Sequence, residues 1–533
     1  MDPLLLLGDE AFAQGALDGG LSGAFGYPGT PSTEIIEYIQ NNREADKRGV
    51  KQDWSANEKT ALETALGMSY AGKRAIVTMK HVGLNVAADP FMNSAVTGVN
   101  GGVLLAVADD PSMHSSQNEQ DSRFYGKFAM IPVLEPSNQQ EAYDMGRAGF
   151  VLSERFHLPV MVRLTTRLAH SRSLVNRQKT VNENPLSLPE DPNQFMLLPA
   201  FARKKYRKHL MIQKELVRAS EESPYNMLTD GPDHSMGIIA CGLAYNYLME
   251  NYTESDCPYP VLKIGQYPLP EKLLEELRSI CDTLLILEEG MPVTEEMIRG
   301  FFGSENLTVN GRLDGTLPRD GELNPGLVRK ALGLPVKDNF KLPEFMVPRP
   351  PALCAGCPHQ DSFKALNMAL ESYGPGHVFS DIGCYTLGFL PPYHAINTCV
   401  DMGASFTMAT GAAEAGLFPA IGVIGDSTFG HSGLTGLADA VFRKSNVVLI
   451  ILDNDTTAMT GMQESVISGK IESVCEALGV EKEHIRELMA LPRELESNTD
   501  ILKQEIEYKG VSVVIFRRPC IHLAGKKKKG GRS

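Results

Sequence analysis

Two polar clusters stand at the ends of apolar runs in the last third of the chain. Ala420–Ile424 runs into Gly425-Asp426-Ser427, and Asn446–Leu452 runs into Asp453-Asn454. Between them, after a loop, Ser432 can cap a helix over Gly433–Lys444. In a right-handed strand–helix–strand unit both strands finish at the same edge of a parallel sheet, so Asp426 and Asn454 meet there. Hard oxygen ligands at such an edge suit Mg²⁺, which prefers octahedral oxygen coordination and shares phosphate oxygens. The small residues Gly430, Ser432 and Gly433 offer backbone amides to a phosphate. Gly-Asp-Ser alone is an ordinary strand-end turn. Its pairing with Asn454 at this spacing tips the reading to a metal–phosphate site.

The other residues able to do chemistry each carry a plainer reading as well. Ser55-x-x-Glu58 is a capping box at the head of a helix over Ala56–Ala71, which gives Glu58 a local task. Thr30 before Pro31 suits an N-cap followed by a proline in the first helical position, and the same helix start favours an anion. His81 and His114 follow apolar runs, where each could donate to a developing oxyanion or enolate; a single histidine is more often structural. Cys354-Ala355-Gly356-Cys357-Pro358-His359 invites zinc or redox chemistry. Zinc would want a second close pair, and Cys384 and Cys399 are not one.

Such residues need parallel strands to place them, and three blocks of alternating strands and amphipathic helices supply the pattern of a multi-domain α/β protein. The first block, residues 1–182, holds strands Ser22–Tyr27, Ala75–Met79 and Gly102–Ala108, with a helix from Ser32. A linker is expected over 183–235. The second block, 236–345, alternates strand Gly237–Cys241, a helix near Tyr245–Glu250, strand Val261–Ile264, helix Glu271–Ile280 and strand Thr283–Leu287. The joint Pro348-Arg349-Pro350-Pro351 opens a third block, 346–525, and Lys526–Lys529 sit in a basic tail, 526–533. The net charge of −14 argues against nucleic acid as a partner. No apolar run reaches membrane-spanning length, and nine scattered cysteines make no disulfide framework, so a reduced cytoplasmic protein is expected.

Several of these segments together resemble the thiamine-diphosphate-dependent 2-oxoacid:ferredoxin oxidoreductases, and most closely the alpha subunit of the indolepyruvate type. The carrying motifs are Gly425-Asp426-Ser427 with Asn454, Trp54–Glu58, Val77–Asn85, Ala108–Glu119, Tyr27–Ser32, Cys354–His359, Ser380–Tyr385 and Met402–Ser405. The resemblance implies a pyrimidine-binding first block, a transketolase-C-terminal-like second and a diphosphate-binding third. It implies that Asp426, Asn454 and the carbonyl of Thr456 hold Mg²⁺ on the cofactor's diphosphate, with Gly425 and Ser427 beside them; Ser427 replaces the family's second glycine. It makes Glu58 the acid against N1′ of the aminopyrimidine and brings Thr30 to the substrate carboxylate. Cys357, His359, Asp381, Gly383 and Cys384 would lie near the cofactor.

The activity so implied is oxidative decarboxylation of an aryl, indolepyruvate-like 2-oxoacid to an acyl-CoA. The expected partners are a smaller beta subunit, in a dimer of heterodimers, and an external electron acceptor: a ferredoxin, a flavoprotein or an iron–sulfur subunit. The family's alpha subunit continues into a ferredoxin-like domain, yet no Cys-x₂-Cys-x₂-Cys-x₃-Cys run occurs in these 533 residues. An iron–sulfur cluster is therefore expected on a partner, and the isolated chain should be colourless. The competing readings are a non-oxidative 2-oxoacid decarboxylase, which would release an aldehyde, and a silent scaffold subunit. A Mg²⁺-dependent nucleotide-binding protein is disfavoured by the absence of Gly-x₄-Gly-Lys-Ser/Thr.

Overall fold

Runs that are apolar at every position must be covered on both faces. The strands Val103–Asp109, Val160–Thr165 and Val447–Asp453 are buried at every residue. The computed structural model describes residues 3–303, 307–335, 345–347 and 351–523. The chain divides into two compact units, residues 1–340 and 341–533. The fold is α/β with mostly parallel sheets, as the sequence pattern predicts.

In the first unit a seven-stranded sheet runs in the order 266–267, 133–134, 160–165, 103–109, 75–80, 23–26, 51–54. All its pairs are parallel except the first, where Gln266–Tyr267 runs antiparallel to Val133–Leu134. A second sheet of five strands has the order 308–310, 283–287, 237–241, 261–264, 227–229, with only the last pair antiparallel. The boundaries expected at 182 and 236 thus fall inside one compact unit. The segment expected as a linker carries helices Pro199–Met211 and Gln213–Glu221. Leu216 joins an apolar core, and His209 Nε2 lies 2.9 Å from the carbonyl of Ala129. Its Pro- and Asn-rich composition hid these packing residues. The Pro348–Pro350 part of the expected joint and the Lys526–Lys529 tail lie outside the described residues.

The second block is tied to the first by buried charge. Arg163 Nε donates to Asp109 at 2.6 Å, Nη1 to Glu135 at 2.5 Å, and Nη2 to the carbonyl of Glu289 at 3.0 Å. Arg123 pairs with Asp121 at 2.6 Å and Glu288 at 2.9 Å, and donates to the carbonyls of Glu289 and Met291. Both guanidinium groups are shielded from water. Removing one partner of such a buried network leaves the opposite charges unpaired, at about 3–5 kcal/mol. Arg163→Met is therefore expected to lower the unfolding free energy read from a urea titration by that amount, and an unchanged value would show that the network contributes nothing to stability.

The second unit contains a sheet of five parallel strands in the order 378–380, 421–425, 447–453, 511–517, 485–489. Among the described residues no helix is long and apolar enough to cross a membrane.

Candidate functional site

In the second unit, the register that sets Gly425 opposite Leu452 brings the ends of two neighbouring strands to one sheet edge, and Asp426 and Asn454 follow there. The expected loop after Asp426 does not exist. The backbone turns helical at Asp426, passes through a π turn at Phe429–Gly433 and continues as Leu434–Arg443. Ser432 therefore lies inside the helical run and caps nothing. π turns of this kind recur at functional sites.

Asp426 is buried; its Oδ1 accepts from the Ser427 amide at 2.7 Å, and its Oδ2 has no hydrogen-bond partner among the described residues. Burial, and then neighbouring Asp453, push its pKa up to about 8 against the nearby amides of Ser427, Asp455 and Thr456. A buried carboxylate oxygen without a donor is costly, and a divalent cation at Oδ2 would remove the cost. Asn454 lies buried at the adjacent strand end. Its Oδ1 accepts from the Thr456 amide at 3.2 Å, and its Nδ2 is 3.3 Å from His359 Nε2. Burial pushes His359 down to about 4, so its neutral ring accepts from the amide and fixes which way Asn454 points. The Thr456 hydroxyl donates to the carbonyl of Gln463 at 3.0 Å, bracing the turn. One carboxylate, one amide oxygen and one backbone carbonyl fit Mg²⁺ that shares phosphate oxygens. Among the described residues no three His, Cys, Asp or Glu side chains gather as a metal site by themselves.

The wall of this site is shaped by Tyr385. A Cβ on Gly383 or Gly425 would meet its ring at 2.2 or 2.6 Å, so both positions need glycine. The Tyr385 hydroxyl bonds Asp381 Oδ1, while Asp381 Oδ2 accepts from Ser405 Oγ at 2.6 Å and the Gly403 amide at 3.1 Å. Both oxygens of Asp381 are thus spent inside the protein, where they brace the 403–405 segment. Burial raises its pKa to about 6.

Cys357 sits ahead of the helix Pro358–Leu370. Burial pushes its thiol up to about 11, against the His359 amide and with Cys354 and Cys520 adding to it, and burial and then neighbouring cysteines push Cys384 up to about 12. Cys357 feels Cys354 and Cys520, and Cys384 feels Cys357, Cys520 and Cys354, a wider set of thiol influences than the one close pair that the sequence offers. Cys354 Sγ is also 3.3 Å from His522 Nε2.

In the first unit, four neighbouring parallel strands release their chain ends at one edge, through the pairs Gly26–Trp54, Gly26–Thr78 and Lys80–Ala108. Glu58 follows the strand ending at Trp54. Its helix is Glu58–Tyr70, capped by Asn57, whose side chain accepts from the Thr60 amide at 2.9 Å. Ser55 is not the cap and Glu58 is not at the capping-box position; Asn57 and Thr60 fill both roles. Glu58 is buried and lies flat on Gly83, where an added Cβ would stand 2.5 Å from its Oε1.

Thr30 is not an N-cap either. The Gly29 amide donates to Thr33 Oγ1 at 3.0 Å and Ser32 Oγ donates to the Gly29 carbonyl at 2.8 Å, which delays the helix to Thr33–Gln40. Thr30 stays in the loop at the strand end. His81 opens the next helix, buried, with no well-formed hydrogen bond to either ring nitrogen among the described residues. Burial pulls its pKa down against Asp109, which holds the ring neutral. His114 instead is exposed on the surface, 3.5 Å from Glu322. Gly83, Lys80, Tyr385 and Cys520 went unassigned in the sequence. Only Lys80, a charge closing an apolar strand, carried a visible signal.

Comparison with known proteins shows the family. Residues 14–197 match the family model described as pyruvate flavodoxin/ferredoxin oxidoreductase, thiamine diP-binding, and residues 381–516 match the C-terminal binding domain of thiamine pyrophosphate enzymes. The chain is 40% identical to an indolepyruvate oxidoreductase subunit IorA of Archaeoglobus fulgidus, over 98% of this chain and 87% of that one. It is also 40% identical to the same-named subunit of Methanothermobacter thermautotrophicus, over 98% and 88%. A solved 2-oxoglutarate:ferredoxin oxidoreductase from Magnetococcus marinus shares the fold, with a TM-score of 0.52 and 17% identity over 62% of this chain and 65% of that one.

Proposed function

We propose, for a chain that belongs to the indolepyruvate oxidoreductase alpha-subunit family of thiamine-diphosphate-dependent 2-oxoacid oxidoreductases, that it oxidises aryl 2-oxoacids to acyl-CoA. The enzyme class is oxidative decarboxylation of 2-oxoacids. The observation that carries the residue-level reading is the buried Asp426 Oδ2, which has no hydrogen-bond partner among the described residues, at the same sheet edge as Asn454. Asp426, Asn454 and the Thr456 carbonyl would hold Mg²⁺, and through it the diphosphate. Gly425 and Ser427 set the approach, and His359, Cys357, Gly383 and Cys384 form the wall around it. Asp381 positions that wall from behind.

Glu58 is the proposed acid that holds and moves the proton at N1′ of the aminopyrimidine, from a fixed place on Gly83. Thr30 meets the substrate carboxylate, and neutral His81 is a donor to the 2-oxo oxygen. His114 has no part in this reading, because Glu322 engages it at the surface. The cofactor, when bound, supplies a carbon nucleophile for the 2-oxo carbon and a sink for the electron pair released with CO₂. The balance is one 2-oxoacid anion and one CoA thiol in, and acyl-CoA, CO₂, one proton and two electrons out. A smaller beta subunit, an external acceptor, a dimer of heterodimers and a cytoplasmic setting belong to the same proposal. The test is anaerobic assay of the complete complex with aryl and branched 2-oxoacids, CoA and a viologen dye. Acyl-CoA with dye reduction, best with aryl substrates, is expected; free aldehyde without dye reduction would overturn the reading.

One observation favours a second reading of the electron path. Cys384 feels the charges of Cys354, Cys357 and Cys520, while among the described residues no three such side chains gather to hold a single ion. A four-iron cluster spreads its thiolates farther apart than one metal ion does, and four cysteines are its usual ligand set. Iron analysis of anaerobically purified chain decides between the two. About four irons, lost in Cys384→Ser, would put the first electron carrier on this chain; colourless, iron-free protein leaves it on a partner.

A further inference from the structure

Lys80 closes a buried strand at the same sheet edge that releases Thr30 and Glu58. Its ammonium donates to the carbonyl of Ser115 at 2.6 Å and to Ser115 Oγ at 3.3 Å. Ser115 Oγ in turn donates to the carbonyl of Thr30 at 3.2 Å. A Cβ added to Gly29 would sit 3.4 Å from Lys80 Cβ, so the Thr30 loop lies directly on the lysine stem. Among the described residues these hydrogen bonds go to neutral oxygens. The nearest carboxylate with influence on it, Asp110, is committed elsewhere: it accepts from the Ser115 amide at 2.8 Å, Ser116 Oγ at 2.6 Å and Thr166 Oγ1 at 2.7 Å. Asp110 acts on the ammonium through its field rather than by contact. A half-buried cation whose direct hydrogen bonds, among the described residues, go to neutral oxygens can take an anion in contact, and the carboxyl edge of a parallel sheet is where ligands bind.

We propose that Lys80 binds the carboxylate of the 2-oxoacid, as the charged half of a clamp whose other half is the Thr30 loop. The proposal rests on the reading that this loop receives the substrate. Burial draws the lysine pKa down to about 8, which leaves it charged at neutral pH. A point charge on a flexible stem follows the carboxylate without requiring one geometry, so Lys80 sets charge preference and leaves side-chain selection to the surrounding wall.

The test uses the complete complex with Lys80→Gln, Lys80→Arg and Thr30→Val. Glutamine keeps a donor for the Ser115 carbonyl and loses only the charge. Lys80→Gln is expected to raise the KM for the 2-oxoacid about 10–100-fold, with the KM for CoA and the affinity for thiamine diphosphate unchanged. Lys80→Arg should recover most of the loss. Competitive inhibition adds a readout that a structural role would not move: wild-type enzyme should prefer an aryl carboxylate over its neutral amide, and Lys80→Gln should lose that preference. If Thr30→Val raises the 2-oxoacid KM and Lys80→Gln does not, Lys80 is not the carboxylate's partner. If neither variant changes it, the substrate site itself has been misplaced. Should Lys80→Gln fail to fold, an unchanged carboxylate preference in Lys80→Met would overturn the assignment equally well.

Discussion

Glu58→Gln is expected to cut turnover by about 10²–10⁴-fold, with thiamine diphosphate still bound and the melting temperature unmoved. The separation of the two effects follows from the helix start. Asn57 and Thr60 form the capping box, each side chain accepting from the other's amide, so the helix start rests on those two residues and glutamine at 58 leaves both in place. Glutamine has the same shape against Gly83 but cannot exchange a proton at N1′. Gly83→Ala is the companion variant. Its methyl group would stand 2.5 Å from Glu58 Oε1, so it should displace an intact carboxylate and lower turnover while Glu58 is still present. Turnover that survives Glu58→Gln would move the catalytic acid elsewhere.

Asp426→Asn should weaken Mg²⁺-dependent thiamine diphosphate binding by at least about 100-fold, since losing one partner of a buried charge pair costs about 3–5 kcal/mol. The cofactor-free protein should not suffer, because the substitution is isosteric and, among the described residues, Oδ2 has no donor to lose. Calorimetric titration with cofactor and Mg²⁺, beside a thermal melt without them, reads both halves. Undiminished affinity would remove Asp426 from the metal site.

The βαβ logic that placed Asp426 beside Asn454 needed only strand-end positions, which periodicity reveals. Strands such as Gly237–Cys241 and Val261–Ile264 were legible for the same reason. Local capping was less legible because several residues competed for each helix start. Ser55, Thr30 and Ser432 all have good capping chemistry, yet Asn57 took the first position, a Gly29–Thr33 turn displaced the second, and a π turn absorbed the third. Contacts between distant segments were invisible. The pairing of Glu58 with Gly83, of Tyr385 with two glycines, and of Cys520 with the Cys354–Cys357 motif depends on how strands are ordered in the sheets. Lys80 carries a signal, a charge closing an apolar strand, but a lysine there ordinarily lies free in solvent, and only the covering Ser115 segment shows that this one is half-buried and hydrogen-bonded.

The antiparallel pairing of Gln266–Tyr267 with Val133–Leu134, together with the reach of Glu288 to Arg123, bears on how this chain can be divided. A gene fragment ending near residue 182 would leave a sheet edge unpaired, inviting association with other chains. It would also strip two buried guanidinium groups of acceptors. The first two blocks are therefore not interchangeable cassettes. Recombination that swaps one without the other breaks a shared edge and a shared charge balance at once, so the two should be inherited, and degraded, as a single piece.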